Sequence, residues 1–109
     1  MEKKNYIDYI VEGEHEPYPD MLMPEPTAVD RKIAELIIPY IVDGATLQIG
    51  IGSMPNALGD IIAESDLKDL GMHTELCSDA YLKMYLAGKL TNKYKQIDRG
   101  KGVFGCAVG

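Results

Sequence analysis

Two segments carry residue types that could do chemistry: Gly50-Ile51-Gly52-Ser53-Met54-Pro55-Asn56 and, further along, His73-Thr74-Glu75-Leu76. The first sets two glycines where a strand turns into a helix. There the backbone N–H groups can come close to a ligand, and the helix that follows adds its positive end, so the turn can hold an oxyanion or a phosphate. The second sets a lone carboxylate at the end of a neighbouring strand. If the strands run parallel, both open onto the crevice beyond their carboxyl ends, where open α/β sheets bind ligands. On pattern alone the turn fits a purely structural crossing as well as a cradle, and a structural or capping glutamate is the simpler account of Glu75.

As a carboxylate, Glu75 is ionised near neutrality and can act as a nucleophile without the base that a serine needs. Met72, Leu76 and Cys77 give it an apolar setting, in which burial raises its pKa and neighbouring donors lower it. His73 precedes it by two residues and shares its face in a strand, as does Cys77. His73 could hydrogen-bond near the site in a supporting role, and Cys77 has no adjacent base to make a thiolate and reads as filler. Gln48 falls at strand parity with Gly50 and could donate to the same pocket. The other histidine, His15, is far from His73 in an acidic stretch, so no metal site is expected. A dinucleotide fold is the rival, with an acid about 20 residues beyond its glycines. Glu75 falls near that distance, but Pro55 stands where the third glycine would let helix and strand pack closely.

The elements that must position these residues follow from apolar spacing and punctuation. Thr27 caps a helix with apolar positions at Val29, Ile33, Leu36, Ile37, Tyr40 and Ile41, ending at Asp43-Gly44 with its last turn kinked at Pro39. Thr46 to Ile51 is a short strand, apolar enough to be buried on both faces. Pro55 suits the first turn of a helix whose inward face is Ala57, Leu58, Ile61 and Ile62. Met72 to Cys77 is the second strand. Ser78 or Asp79 caps a helix to about Ala87, stopped by Gly88, with Tyr81, Met84 and Tyr85 at core spacing. Lys101 to Val108 is the third strand. The fold class is therefore α/β with a parallel sheet, β-α-β-α-β after one leading helix.

Composition sets the frame. With 109 residues, 46% of them hydrophobic and 26% charged, the chain reads as one globular unit with a modest core. A net charge of -6 and only 11 lysines and arginines argue against nucleic acid as a partner. Residues 1–26 hold seven acids against Lys3 and Lys4, with Pro17, Pro19, Pro24 and Pro26 in their second half, and read as an acidic connector after the apolar run Tyr6 to Val11. Two cysteines without a signal peptide or a long apolar span point to the cytoplasm and away from a membrane. Three parallel strands and three helices bury little, so the unit is expected to be part of a larger protein or to need a partner chain.

The segments Ala45-Thr46-Leu47-Gln48-Ile49-Gly50-Ile51-Gly52-Ser53-Met54-Pro55-Asn56-Ala57 and Leu70-Gly71-Met72-His73-Thr74-Glu75-Leu76-Cys77-Ser78-Asp79 resemble the acetyl-CoA hydrolase/transferase family, nearest to butyryl-CoA:acetate and 4-hydroxybutyrate CoA-transferases. The likeness extends to Tyr9-Ile10-Val11-Glu12-Gly13, the helix start at Val29-Asp30 and Gly100-Lys101-Gly102. It departs at Ser53-Met54, where a small residue and isoleucine are more frequent, and at Asp79-Ala80, where many members have aspartate-glycine.

The resemblance implies a three-layer α/β/α fold, with residues 27–109 the N-terminal part of a catalytic domain and 1–26 an interdomain connector. It implies Glu75 as catalytic nucleophile and Gly50 and Gly52, with Gln48, as the loop against the thioester carbonyl. Ser53, Met54, Pro55 and Asn56 become candidates for contact with substrate or CoA. The implied reaction passes CoA from a short-chain acyl-CoA to a carboxylate such as acetate through an acyl-glutamyl anhydride and a glutamyl-CoA thioester. CoA is then a substrate, no cofactor is held permanently, and the partners are acyl-CoA, a carboxylate, the remaining domains and further copies of the protein. The isolated chain is expected to be inactive. An acyl-CoA hydrolase shares the same signature, and a non-catalytic nucleotide-binding or assembly module stays open as a different class.

Overall fold

The computed structural model describes residues 8–14, 16–17 and 20–109. His15, Pro19 and the first part of the Tyr6 to Val11 run lie outside the described residues. The chain is α/β, with three α-helices and short parallel ladders.

Helix α1 spans Ala28–Ile37. Thr27 starts it with a capping box: the Asp30 amide donates to the Thr27 hydroxyl, and the Thr27 amide to the Asp30 carboxylate. The helix stops well before Asp43-Gly44. Pro39 does not kink a continuing helix; it sits in a 3-10 turn, Ile38–Tyr40, that replaces the last turns. The apolar positions divide accordingly. Ala34, Ile37, Ile38 and Ile41 pack on the core, whereas Val29, Ile33, Leu36 and Tyr40 are exposed.

Strand β1 is Thr46–Leu47, β2 Gly71–Met72, β3 Leu76–Cys77 and β4 Cys106–Ala107. All pairing is parallel, as expected: Thr46 with Gly71 and Leu47 with Met72 in one ladder, Leu76 with Cys106 and Cys77 with Ala107 in the other. An isolated parallel bridge joins His73 to Val103 between them. The three strands expected over Thr46 to Ile51, Met72 to Cys77 and Lys101 to Val108 are thus present as two-residue rungs. The reason is visible between residues 48 and 51 and between 73 and 75, where side chains and bends take over the backbone groups. Thr46, Gln48, Gly50 and Ile51 are exposed and only Ile49 is buried, so the first strand is not covered on both faces.

Helix α2, Ser53–Glu64, follows the glycine turn, with Gly52 at its cap and Pro55 inside its first turn. Ala57, Leu58 and Ile62 face inward as expected, with Ile61 half-buried. Helix α3, Asp79–Leu86, begins after Ser78 and ends before Gly88, whose φ of 72° suits glycine at a helix end. Tyr81 and Met84 are core residues, but Tyr85 is exposed, because the helix shows α2 only one narrow face. Helix α2 packs against both α1 and α3. The helices come close at Gly59, where a Cβ would lie 2.5 Å from the Ala80 Cβ. Ala34, Ile49, Leu58, Ile62, Leu70, Met72, Tyr81 and Met84 belong to one buried cluster.

Candidate functional site

The register of β1 and β2 positions the candidate residues. Thr46 pairs with Gly71 and Leu47 with Met72, so segments 48–52 and 73–75 leave the same end of this ladder. Two hydrogen bonds link them past it: the His73 amide donates to the Leu47 carbonyl at 3.1 Å, and the Thr74 hydroxyl to the Ile49 carbonyl at 3.3 Å. On the other side, Glu75 accepts at its backbone carbonyl from the Gly105 amide at 2.9 Å and the Cys106 amide at 3.2 Å.

Burial alternates along these segments. Ile49, Met72 and Thr74 are buried toward the helices, while Gln48, Gly50, His73, Glu75 and Gly105 are exposed. The carboxylate-bearing residue, the first glycine of the turn, Gln48 and His73 therefore share one open side. The apolar setting expected for Glu75 is not realised. The chain bends at Glu75, between β2 and β3, and Glu75 is exposed.

Gly105 lies against the Glu75 backbone, where a Cβ would come within 3.1 Å of the Glu75 carbonyl oxygen, and a Cβ at Gly50 would meet nothing within 4 Å. Gly52 has φ 126° and ψ 179°, a conformation open to glycine alone, and it aims the chain into α2. The Asn56 amide donates to the Gly52 carbonyl at 3.1 Å, the first bond of that helix.

The remaining candidates divide. The Thr27 side chain, then its backbone amide, and after them the Ser53 hydroxyl hold Asp30 below the usual carboxylate range, which turns Ser53 toward α1. Met54 and Pro55 are half-buried, and Asn56 is buried with its Oδ1 lacking a hydrogen-bond partner among the described residues. His73 lines a cavity of about 330 Å³ with Thr46, Tyr94, Lys95, Gln96 and Ile97, on the approach to the strand end rather than against Glu75. Cys77 is half-buried, and burial pushes its thiol up, away from thiolate chemistry. Among the described residues no group of three histidine, cysteine, aspartate or glutamate side chains is placed to hold a metal ion, and no helix is long and apolar enough to cross a membrane.

Three residues around these segments carry little signal in the sequence. Gly105 lies within a run that reads as one strand, Thr74 stands between two more reactive residues, and nothing in the helical spacing of Tyr81 signals where its hydroxyl ends.

No family model matches the chain. It is 47% identical over 103 residues to a probable butyrate:acetyl-CoA coenzyme A-transferase of Syntrophomonas wolfei, covering 94% of this chain and 23% of that protein. It is 48% identical over 104 residues to a butyryl-CoA:acetate CoA-transferase of Anaerostipes caccae, with the same coverage of 94% and 23%. Among solved structures, a 4-hydroxybutyrate CoA-transferase from Porphyromonas gingivalis superposes with a TM-score of 0.77 at 32% identity, over 86% of this chain and 23% of that one. The chain thus spans about a quarter of the length of the relatives it matches.

Proposed function

We propose that this chain, which belongs by sequence to the CoA-transferases, carries the nucleophile and the glycine turn of an enzyme that moves CoA between a short-chain acyl-CoA and a carboxylic acid such as acetate. Glu75 is the nucleophile, and the backbone amides at Gly50 and Gly52 receive the negative oxygen. The observation that supports this reading is the parallel β1–β2 pairing, from the same end of which the exposed Gly50 and the exposed Glu75 both follow.

The chemistry follows from that juxtaposition. A Glu75 oxygen adds to the thioester carbonyl, whose oxygen becomes an oxyanion; amide donors fixed beforehand stabilise it at no reorganisation cost, and one such donor is worth about 2.7–4 kcal/mol. Collapse breaks the C–S bond, releasing CoA thiolate and leaving an acyl-glutamyl anhydride. Thiolate attack on the glutamyl carbonyl frees the acyl group as a carboxylate and leaves glutamyl-CoA. The acceptor carboxylate then attacks glutamyl-CoA, and the returning thiolate takes its acyl group, restoring Glu75. Each intermediate keeps the activation that hydrolysis would dissipate. Gln48 supports the turn, His73 the strand end, and Ser53 to Asn56 border the entering substrate.

The wider assignment belongs to the same proposal. Residues 27–109 form part of a three-layer α/β/α catalytic domain with one β-α-β-α-β parallel sheet, and residues 1–26 connect it to a preceding domain. Support comes from the all-parallel pairing, the His73–Val103 bridge between the two ladders and the length of the relatives. CoA acts as a substrate without a resident cofactor, and the enzyme works in the cytoplasm as a homo-oligomer.

Acyl-CoA hydrolysis is the second reading, favoured by the exposure of Glu75, since water reaching the anhydride diverts it from transfer. The test is to incubate the gene product carrying this chain with butyryl-CoA, trap with hydroxylamine or borohydride, and digest for mass spectrometry. The expected mark is on Glu75, and Glu75→Ala abolishes both mark and transfer. An unmarked Glu75 refutes the assignment. Thioester loss at the same rate without acetate selects the hydrolase.

A further inference from the structure

A parallel rung between β1 and the chain at His73 needs two bonds, one from the His73 amide to the Leu47 carbonyl and one from the Ile49 amide to the His73 carbonyl. The first is present at 3.1 Å. The second is replaced: the Ile49 amide donates to the Tyr81 hydroxyl at 2.8 Å, and that hydroxyl donates to the Leu47 carbonyl at 3.0 Å. Tyr81 comes from α3 and is 1% exposed, so its ring is fixed by the core and its hydroxyl cannot swing away. One residue further on, the Thr74 hydroxyl ties the Ile49 carbonyl and also reaches the Leu76 carbonyl at 3.2 Å. Both backbone groups of Ile49 are therefore held by side chains, one residue before Gly50, and one of those side chains belongs to Thr74, one residue before Glu75.

We propose that Tyr81 is a positioning residue of the site. By taking the rung that would zip β1 onto its neighbour, its hydroxyl holds the Gly50–Gly52 turn clear of Glu75 and keeps open the gap in which an acyl carbonyl meets the carboxylate and the amide donors together. The proposal rests on reading Glu75 as the nucleophile and the turn as the oxyanion cradle. It goes beyond that reading by assigning the gap to a phenol from a different element. A displacement of about 1 Å at such a gap is enough to cost on the order of 100-fold in rate.

Tyr81→Phe keeps the ring in the core and removes only the hydroxyl. In the gene product carrying this chain, kcat falls on the order of 10- to 100-fold while KM for acyl-CoA stays near the unaltered value, the pattern of an interaction that matters in the transition state. In parallel, amide exchange followed by NMR shows the Ile49 amide changing protection by about tenfold or more while the α2 amides of Leu58 and Ile62 hold theirs. An unchanged Ile49 amide, a uniform loss of protection across the chain, or an unchanged kcat overturns the proposal. Should Tyr81→Phe not fold, Thr74→Val frees the Ile49 carbonyl, the other backbone group of the same residue, and must show the same kcat-selective loss; a wild-type rate overturns the proposal equally. Acylation of Glu75 separates the two levels. If the unaltered protein never acylates Glu75, the functional reading fails and the positioning role with it. If Glu75 is acylated and Tyr81→Phe transfers at full rate, the positioning role alone fails.

Discussion

Gly50→Ala separates a glycine kept for the fold from one kept for a ligand. The position is exposed, and a Cβ built on it meets nothing within 4 Å. Its φ is not among the positive values found at Gly44, Gly52, Gly88, Gly100 and Gly109. An alanine therefore meets neither a clash nor backbone strain, and the stiffer unfolded chain gives a gain of about 0.4–1 kcal/mol. Urea unfolding of Gly50→Ala is expected to show a midpoint equal to or above that of the unaltered chain. Gly52→Ala is the contrast: the nearest atom to its Cβ is Pro55 Cδ at 3.8 Å, so space is not the obstacle, but φ 126° is, and the loss is about 1–3 kcal/mol.

The activity of Gly50→Ala should move the other way. On the proposed reading an acyl carbonyl lies over this turn, and a methyl group that displaces it by roughly 1 Å costs about 100-fold. That is roughly 2.7 kcal/mol of transition-state stabilisation lost while the fold gains. The paired measurement is kcat/KM for butyryl-CoA with acetate alongside the urea midpoint. A wild-type kcat/KM would show that no reacting group passes over Gly50 and would remove the cradle from the argument. A lowered midpoint would show that the open space beside the turn has been misread.

Two further outcomes follow from packing and burial. Gly59→Val drives a branched side chain into Ala80, whose Cβ and Cα would lie 2.5 and 2.8 Å from the new Cβ, so overpacking of about 1–3 kcal/mol combines with the poor helix propensity of valine; a urea midpoint at or above that of the unaltered chain would contradict the close α2–α3 approach. Burial pushes the Cys77 thiol and the Tyr81 phenol above their ordinary values of 9.0 and 10.0, so the folded state keeps protons that the unfolded state releases first. Stability is then fully present below 9.0 and declines as the pH climbs past 9.0 and 10.0, and Tyr81→Phe removes the upper part of the decline. Iodoacetamide at mildly alkaline pH should correspondingly modify the exposed Cys106 well before Cys77, and a midpoint flat across this range with equal alkylation of both thiols would contradict the burial argument.

What was legible in the sequence was whatever is encoded locally. Thr27 with Asp30 specifies a helix start, Gly52 with Pro55 specifies a turn into a helix, and Ala57, Leu58 and Ile62 specify its buried face, because each signal acts within a turn or two of chain. Gln48 and Gly50 in one segment, and His73 and Glu75 in the other, are exposed together for the same reason, since alternation is a property of a single strand. What could not be read was set by groups distant in sequence. The strand after Thr46 looks continuous in apolar residues, yet it leaves its ladder after Leu47 because a tyrosine hydroxyl 32 residues beyond Ile49 claims its amide. The exposure of Glu75 depends on a bend held by amides at 105 and 106, and its apolar sequence neighbours say nothing of this. Residue chemistry and spacing thus single out the turn and the carboxylate as candidates, but the hydrogen bonds around Ile49 come from α3 and those at the Glu75 carbonyl from the chain around Gly105, both far away in sequence and invisible to local pattern.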